Sequence, residues 1–102
     1  MRERYPALWQ LFAGYFHQDW ALDDPSADDV LGRFVRDEPP EAVHRARRDL
    51  EDVLRRWPAE RELEAVTDRL GSSYRPAGDG LTTRDWLVHV GEFLELSSRR
   101  DR

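Results

Sequence analysis

Cysteine is missing from this chain altogether, which excludes disulfide staples and thiolate metal sites together. Lysine is missing too, and all 16 basic residues are arginine. That bias reads as GC-rich coding more than as arginine-specific recognition. No apolar run approaches the roughly eighteen residues of a membrane span, and Met1-Arg2-Glu3-Arg4-Tyr5-Pro6 lacks the apolar stretch of a secretory signal. A soluble, cytoplasmic protein is therefore expected, with no membrane partner. Several chemical signatures are absent as well. There is no GxGxxG or GxxxxGK[ST] phosphate cradle, no HExxH zinc motif and no Gly-x-Ser-x-Gly nucleophile elbow. No strand candidate of useful length and no internal repeat is visible.

What is present fits one domain of 102 residues. Its apolar fraction is only 39%, but four Trp, four Phe and three Tyr supply large rings. Each removes about 150 to 250 Å² from water when buried, so a modest core is within reach. The charged fraction of 36% predicts strongly solvated outer faces.

Helical punctuation recurs along the chain. Pro6 suits a first helical position, and Leu8, Leu11, Phe12 and Tyr15 then follow at helical steps, with Gly14 near the end. After an Asp-rich connector, Ala21 to Pro25, Ser26 is a candidate N-cap for a helix carrying Val30, Leu31, Phe34 and Val35 inward. Gly32 inside that helix points to close packing or a kink. Pro39 and Pro40 separate it from a third helix, to about Trp57, whose Val43, Ala46, Leu50, Val53 and Leu54 share one face. Glu41/Arg45, Glu51/Arg55 and Asp52/Arg56 are acid-before-base pairs on that helix.

Beyond Pro58 a fourth helix carries Leu63, Val66 and Leu70, and Gly71 stands where a left-handed C-terminal cap belongs. Ser72 to Leu81 is a long irregular connection with turn residues at Gly78-Asp79-Gly80. The last helix starts at Thr82 or Thr83 and buries Trp86, Leu87, Val90, Phe93 and Leu94. Residues 97–102 are expected to fray. The predicted fold is all-α: a compact single-domain bundle of about five helices, with its core over residues 5–96.

The chemistry concentrates in Tyr15-Phe16-His17-Gln18-Asp19-Trp20, which mixes rings, an imidazole, an amide and a carboxylate. Such a mixture suits a position facing a core on one side and a polar network or a partner on the other. Acidic residues follow at once. From Asp19 to Glu41, eight carboxylates face only Arg33 and Arg36, a formal −6 that exceeds the −5 of the whole chain. This field repels nucleic acid and favours a basic protein partner. The candidate partner-binding residues are His17, Asp19, Trp20, Asp23, Asp24, Asp28 and Asp29. For Trp20 a core plug is the alternative role, for His17 a cap, and for Asp28 and Asp29 complementation of a helix dipole.

Catalysis finds little support. His17, His44 and His89 have no metal-ligand spacing, so neither a metal nor a cofactor is expected. The carboxylates are solvated rather than paired in a dry cleft. No enzyme activity is expected, although a small hydrolase gathering His17 and Asp19 around a pocket stays open.

Tyr15 to Trp20, Asp37-Glu38-Pro39, Leu70-Gly71, Tyr74, Pro76, Asp79-Gly80 and Trp86-Leu87 occur in the order seen in a known group. Over roughly Tyr5 to Leu94 the chain resembles the small helical immunity proteins of bacterial contact-dependent growth inhibition systems. The resemblance implies a cytoplasmic protein that binds and blocks the toxic C-terminal domain of a large exported effector. Such toxins are commonly nucleases, whose substrate faces are basic. The alternative is a helical adaptor or regulatory subunit docking on another basic protein. The oligomeric state stays open, with a monomer favoured. The Tyr74 to Leu81 loop is expected to fold back onto Tyr15 to Trp20.

Overall fold

Pro6 occupies the first turn of α1 (Pro6–Trp9), where a missing backbone N–H costs nothing. The helix then widens into a π-helical segment, Gln10–Tyr15, closed by the Phe16 N–H donating to Leu11 O at 3.2 Å. This widening changes which residues face inward. Leu8, Leu11, Phe12 and Phe16 are all fully buried, while Tyr15 is half-buried. An unbroken 3.6-residue period would have placed Tyr15, not Phe16, on the apolar stripe.

The computed structural model describes residues 1–100, and among these no strand occurs. The remaining helices are α2 (Trp20–Asp23), α3 (Ala27–Asp37), α4 (Pro40–Arg56), α5 (Glu60–Arg69) and α6 (Thr83–Arg100), with a 3₁₀ turn at Pro76–Asp79. The fold is an all-α bundle. α2 is a single turn inside the segment expected to be a connector. Four residues bury nothing completely, so no apolar period announces them.

Capping explains most boundaries. Ser26 Oγ accepts the Asp29 N–H at 3.2 Å to start α3. α5 ends in a Schellman turn: Gly71, at φ 87°, donates its N–H to Asp68 O and Ser72 donates to Thr67 O. Thr82 Oγ1 accepts the Asp85 N–H at 3.0 Å to start α6. Glu60 adds a cap from another helix, its carboxylate accepting the Thr83 and Arg84 N–H groups at 2.7 and 2.9 Å. The start of α5 is thereby tied to the start of α6.

α4 and α6 form the centre, with α1 packed on α4 and with α3 and α5 on α6. Trp86, Phe12, Phe16, Phe34 and Leu50 are among the largest fully buried side chains. Three details depart from the sequence-based expectations. Gly32 has open space around it rather than a packed neighbour. Glu51 pairs with Arg47, not Arg55, and both Arg55 and Arg56 converge on Asp52. α6 continues past Leu96 to Arg100, with Ser97 and Ser98 donating back to Phe93 O and Leu94 O, whereas fraying was expected from Ser97. Asp101 and Arg102, the rest of that expected tail, lie outside the described residues.

Candidate functional site

An aromatic cluster sets the platform. Phe16 lies edge-on to Trp86 with centroids 5.2 Å apart, and Phe12 stacks on Trp86 at 5.6 Å. Tyr74 joins them, 4.6 Å from Trp86 and 5.8 Å from Phe16. The loop after α5 does fold back: Ser73 donates its N–H to Phe16 O at 2.8 Å, and Tyr74 meets Trp20 at 5.5 Å. Gly71 makes that return possible, since it turns the chain with a left-handed backbone directly against Ala13.

Tyr15 and Phe16 of the hexapeptide therefore serve the interior. Phe16 is 0% exposed. Tyr15 packs edge-on against Phe34 and donates its hydroxyl to Glu38 at 2.5 Å, with the Arg33 guanidinium 4.9 Å from its ring centroid. Burial and the Glu38 carboxylate push the Tyr15 hydroxyl up to about 12. Trp20 is half-buried, its ring against Phe16 and Tyr74. It is thus partly packed on the cluster and partly open to water.

The polar candidates divide by what already holds them. His17 Nδ1 accepts the Asp19 N–H at 3.1 Å, and its Nε2 lies 3.6 Å from Asp23. Asp19 and Asp23 are exposed, with Leu22 beside Asp23 at 84% exposure. Asp24 differs. Its side chain is 11% exposed and accepts from Arg33 Nη2 at 2.9 Å and Nε at 3.2 Å. It braces the start of α3. Asp28 Oδ1 lies 2.7 Å from His89 Nε2, tying α3 to α6, and Asp29 accepts the Ser26 hydroxyl at 2.8 Å. Asp28 and Asp29 are both exposed.

The acidic run is not one patch. Asp19 to Asp29 lie around α2 and the start of α3, whereas Asp37, Glu38 and Glu41 lie at its far end. Asp29 and Asp37 stand about 12 Å apart along the axis of α3.

Next to the first group opens a cleft of about 430 Å³ whose walls include Asp28, Tyr74, Asp79, Leu81, Trp86 and His89. Tyr74 donates its hydroxyl to Asp79 at 2.6 Å, and burial followed by that carboxylate raises its pKa, with Asp28 adding to the effect. Of these residues only Asp28 was singled out as a candidate from the sequence. Tyr74, Asp79 and Trp86 are signalled as parts of the family pattern, but nothing in spacing places His89 or Leu81 beside Asp28. Among the described residues no three His, Asp or Glu side chains gather to hold a metal ion, and no helix is long and apolar enough to cross a membrane.

A protein-family profile described as CdiI immunity protein matches residues 4–94. The chain belongs to the CdiI immunity protein family. No curated protein and no solved structure matches it. The matched span holds the hexapeptide, α2, the returning loop and most of α6, so aromatic platform, acidic turn and cleft all lie inside the CdiI immunity region. The order of motifs that carried the resemblance thus maps onto one packed unit: Phe16, Trp20, Tyr74 and Trp86 cluster together, with Phe16 and Tyr74 each touching the other three.

Proposed function

We propose that this CdiI immunity protein neutralises the toxic C-terminal domain of a contact-dependent growth inhibition effector by stoichiometric occlusion, in the cytoplasm and without turnover. The observation that carries the reading is the surface around α2. Asp19, Asp23, Asp28 and Asp29 are exposed on and beside α2 and the first turn of α3, as is Leu22, and Trp20 among them in sequence is half-buried. Carboxylates of this kind steer a basic partner and raise its association rate, while an aromatic edge and a leucine slow its release. A nuclease fits best as the toxin, because a nucleic-acid-binding face is basic. Occluding that face with carboxylates removes the substrate's own contacts. The contact set is His17, Asp19, Trp20, Asp23, Asp28 and Asp29. Asp24 supports them through Arg33 rather than through a contact of its own.

Co-expression with the C-terminal domain of the nearest encoded large exported protein tests the reading. Growth rescue and a one-to-one complex on co-purification are expected. Asp19→Arg together with Asp23→Arg slows association on the order of tenfold at low salt and leaves helicity unchanged. Absence of rescue with every neighbouring toxin, from a folded and expressed immunity protein, overturns it.

A further inference from the structure

α2 is an element that the core does not need. None of its four residues is fully buried: Trp20 is half-buried, and Ala21, Leu22 and Asp23 are exposed. A single helical turn does not hold its shape in water unaided, because nucleation fixes several residues for one hydrogen bond. Yet this turn is tied at both ends. At its entry the Trp20 N–H donates to His17 O at 2.9 Å, and His17 Nδ1 accepts the Asp19 N–H at 3.1 Å. At its exit Asp24 accepts from Arg33 Nη2 and Nε at 2.9 and 3.2 Å, with a side chain only 11% exposed. Arg33 is held in turn, its guanidinium 4.9 Å from the Tyr15 ring centroid. The Trp20 ring rests on Phe16 and Tyr74.

What this bracing presents is Leu22. At 84% exposure it is the most exposed large apolar side chain among the described residues. Val88 and Leu96 are also open to water, but they lie on α6, whose other face carries Trp86, Leu87, Val90 and Leu94 into the core. Their exposure is the ordinary by-product of a two-faced helix. No such account covers Leu22, because α2 has no fully buried face. The neighbouring charges define what fits over it. Asp19 stands three residues before Leu22 and Asp23 directly after it, both exposed. They repel an anionic lipid surface, and a second copy docking symmetrically would bring the same carboxylates against themselves. An apolar socket with arginine or lysine at its rim satisfies the leucine and the carboxylates together.

We infer that α2 is a preformed plug: Leu22 enters an apolar socket rimmed by basic side chains on the toxin, and the pairing of Asp24 with Arg33 holds the plug in its bound shape beforehand. This rests on the toxin-binding reading above and divides the work within it. Asp19 and Asp23 govern association, and Leu22 governs dissociation. Asp24 and Arg33 are positioning residues that lower the ordering cost of binding.

Surface plasmon resonance against the toxin domain selected by co-expression reads both rates, and ¹⁵N relaxation of the free, full chain reads the turn. Leu22→Ala should dissociate about tenfold faster, with its association rate within about twofold of the unaltered protein, and Leu22→Met should restore most of the lost residence time. In the free protein the Leu22 amide should have an order parameter of about 0.85, that of rigid backbone. Arg33→Ala separates bracing from charge. It makes the surface more acidic, so electrostatics alone would tighten binding to a basic toxin; loss of the brace should instead weaken binding about threefold or more and loosen the turn. The plug is overturned if Leu22→Ala dissociates like the unaltered protein, if the Leu22 order parameter is about 0.6 or lower, or if Arg33→Ala binds more tightly. A dimer of the free protein that Leu22→Ala separates would seat the plug on a second copy and overturn the toxin assignment. All of these leave immunity standing where the unaltered protein rescues growth, whereas rescue against no neighbouring toxin overturns the toxin-binding reading and the plug with it.

Discussion

Replacing Gly71 with alanine should damage this protein more than any comparable change in a loop, and the cost can be worked out from two separate origins. Gly71 has φ 87°, a left-handed conformation that costs an L-residue about 1–2 kcal/mol. A Cβ there would also stand 2.8 Å from the Ala13 Cβ and 3.2 Å from the Ala13 Cα. The second contact is with backbone, which cannot rotate away, and overpacking of this kind costs about 1–3 kcal/mol. The total of about 2–5 kcal/mol is a large share of the roughly 5–15 kcal/mol that usually holds a domain together. Gly80 supplies the control. Its φ is 77°, and a Cβ added there would meet nothing within 4 Å, so Gly80→Ala bears the backbone cost alone. Urea denaturation followed by circular dichroism should place Gly71→Ala about 1 kcal/mol or more below Gly80→Ala. Adding Ala13→Gly should recover part of that gap. If the two glycine variants unfold at the same urea concentration, the close approach of the returning loop to the π-helical segment is not rigid, and Gly71 is not the hinge that holds the platform.

Phe16→Ala should cost about 3–5 kcal/mol by leaving a cavity between Phe12, Tyr74 and Trp86, and Trp20→Ala clearly less, since Trp20 is only half-buried; equal losses in urea melts would contradict the division between core and surface. All three tyrosines donate to carboxylates, Tyr5 to Asp52, Tyr15 to Glu38 and Tyr74 to Asp79, and all three have raised pKa values. The stability they confer is present below about pH 10 and is lost as pH rises through the folded values, about 12 for Tyr15; phenolate absorbance appearing at about pH 10 in the folded protein would refute this. Asp52 is held down to about 2 by hydrogen bonds from Tyr5 and Arg56, so its contribution is present above about pH 3.9 and is lost as pH falls towards 2. Asp52→Asn should therefore flatten the acid limb of stability against pH, and an unchanged limb would sink the assignment.

The sequence was most legible where a period and a cap coincide. Ser26, Asp29, Val30, Leu31 and Phe34 announce α3, and each does what its type predicts. Thr82 and Asp85 announce α6, and Leu70 followed by Gly71 announces the end of α5. Legibility failed where geometry leaves the 3.6-residue period. The π-helical turn exchanges Phe16 for Tyr15 on the core face, and α2 is too short to show a period at all. The site was legible as a composition but not as an arrangement. Asp23 and Asp24 are neighbours in sequence, yet one is exposed and the other is fastened to Arg33. His89 meets Asp28 across 61 positions, a pairing that only the packing of α3 on α6 creates.

That sorting changes what the formal charge of the acidic run means. A tally from Asp19 to Glu41 treats eight carboxylates as one field, but α3 keeps Asp29 and Asp37 about 12 Å apart along its axis. Screening in physiological salt acts over about 8 Å, so the carboxylates at the two ends of α3 add only weakly to one another. Glu38 is further engaged by Tyr15 and Gln10. The exposed carboxylates around α2 and the start of α3 are Asp19, Asp23, Asp28 and Asp29, joined by Asp79, which stands far along the chain but lines the same cleft as Asp28. Asp79 enters this field only because Gly71 and the Ser73 contact to Phe16 return its loop to the platform. Phe16, fully buried, thus shapes this surface without being part of it. By holding Tyr74 it places a fifth carboxylate near those that local sequence had already supplied, so the charge of this surface depends on the packing of Phe16.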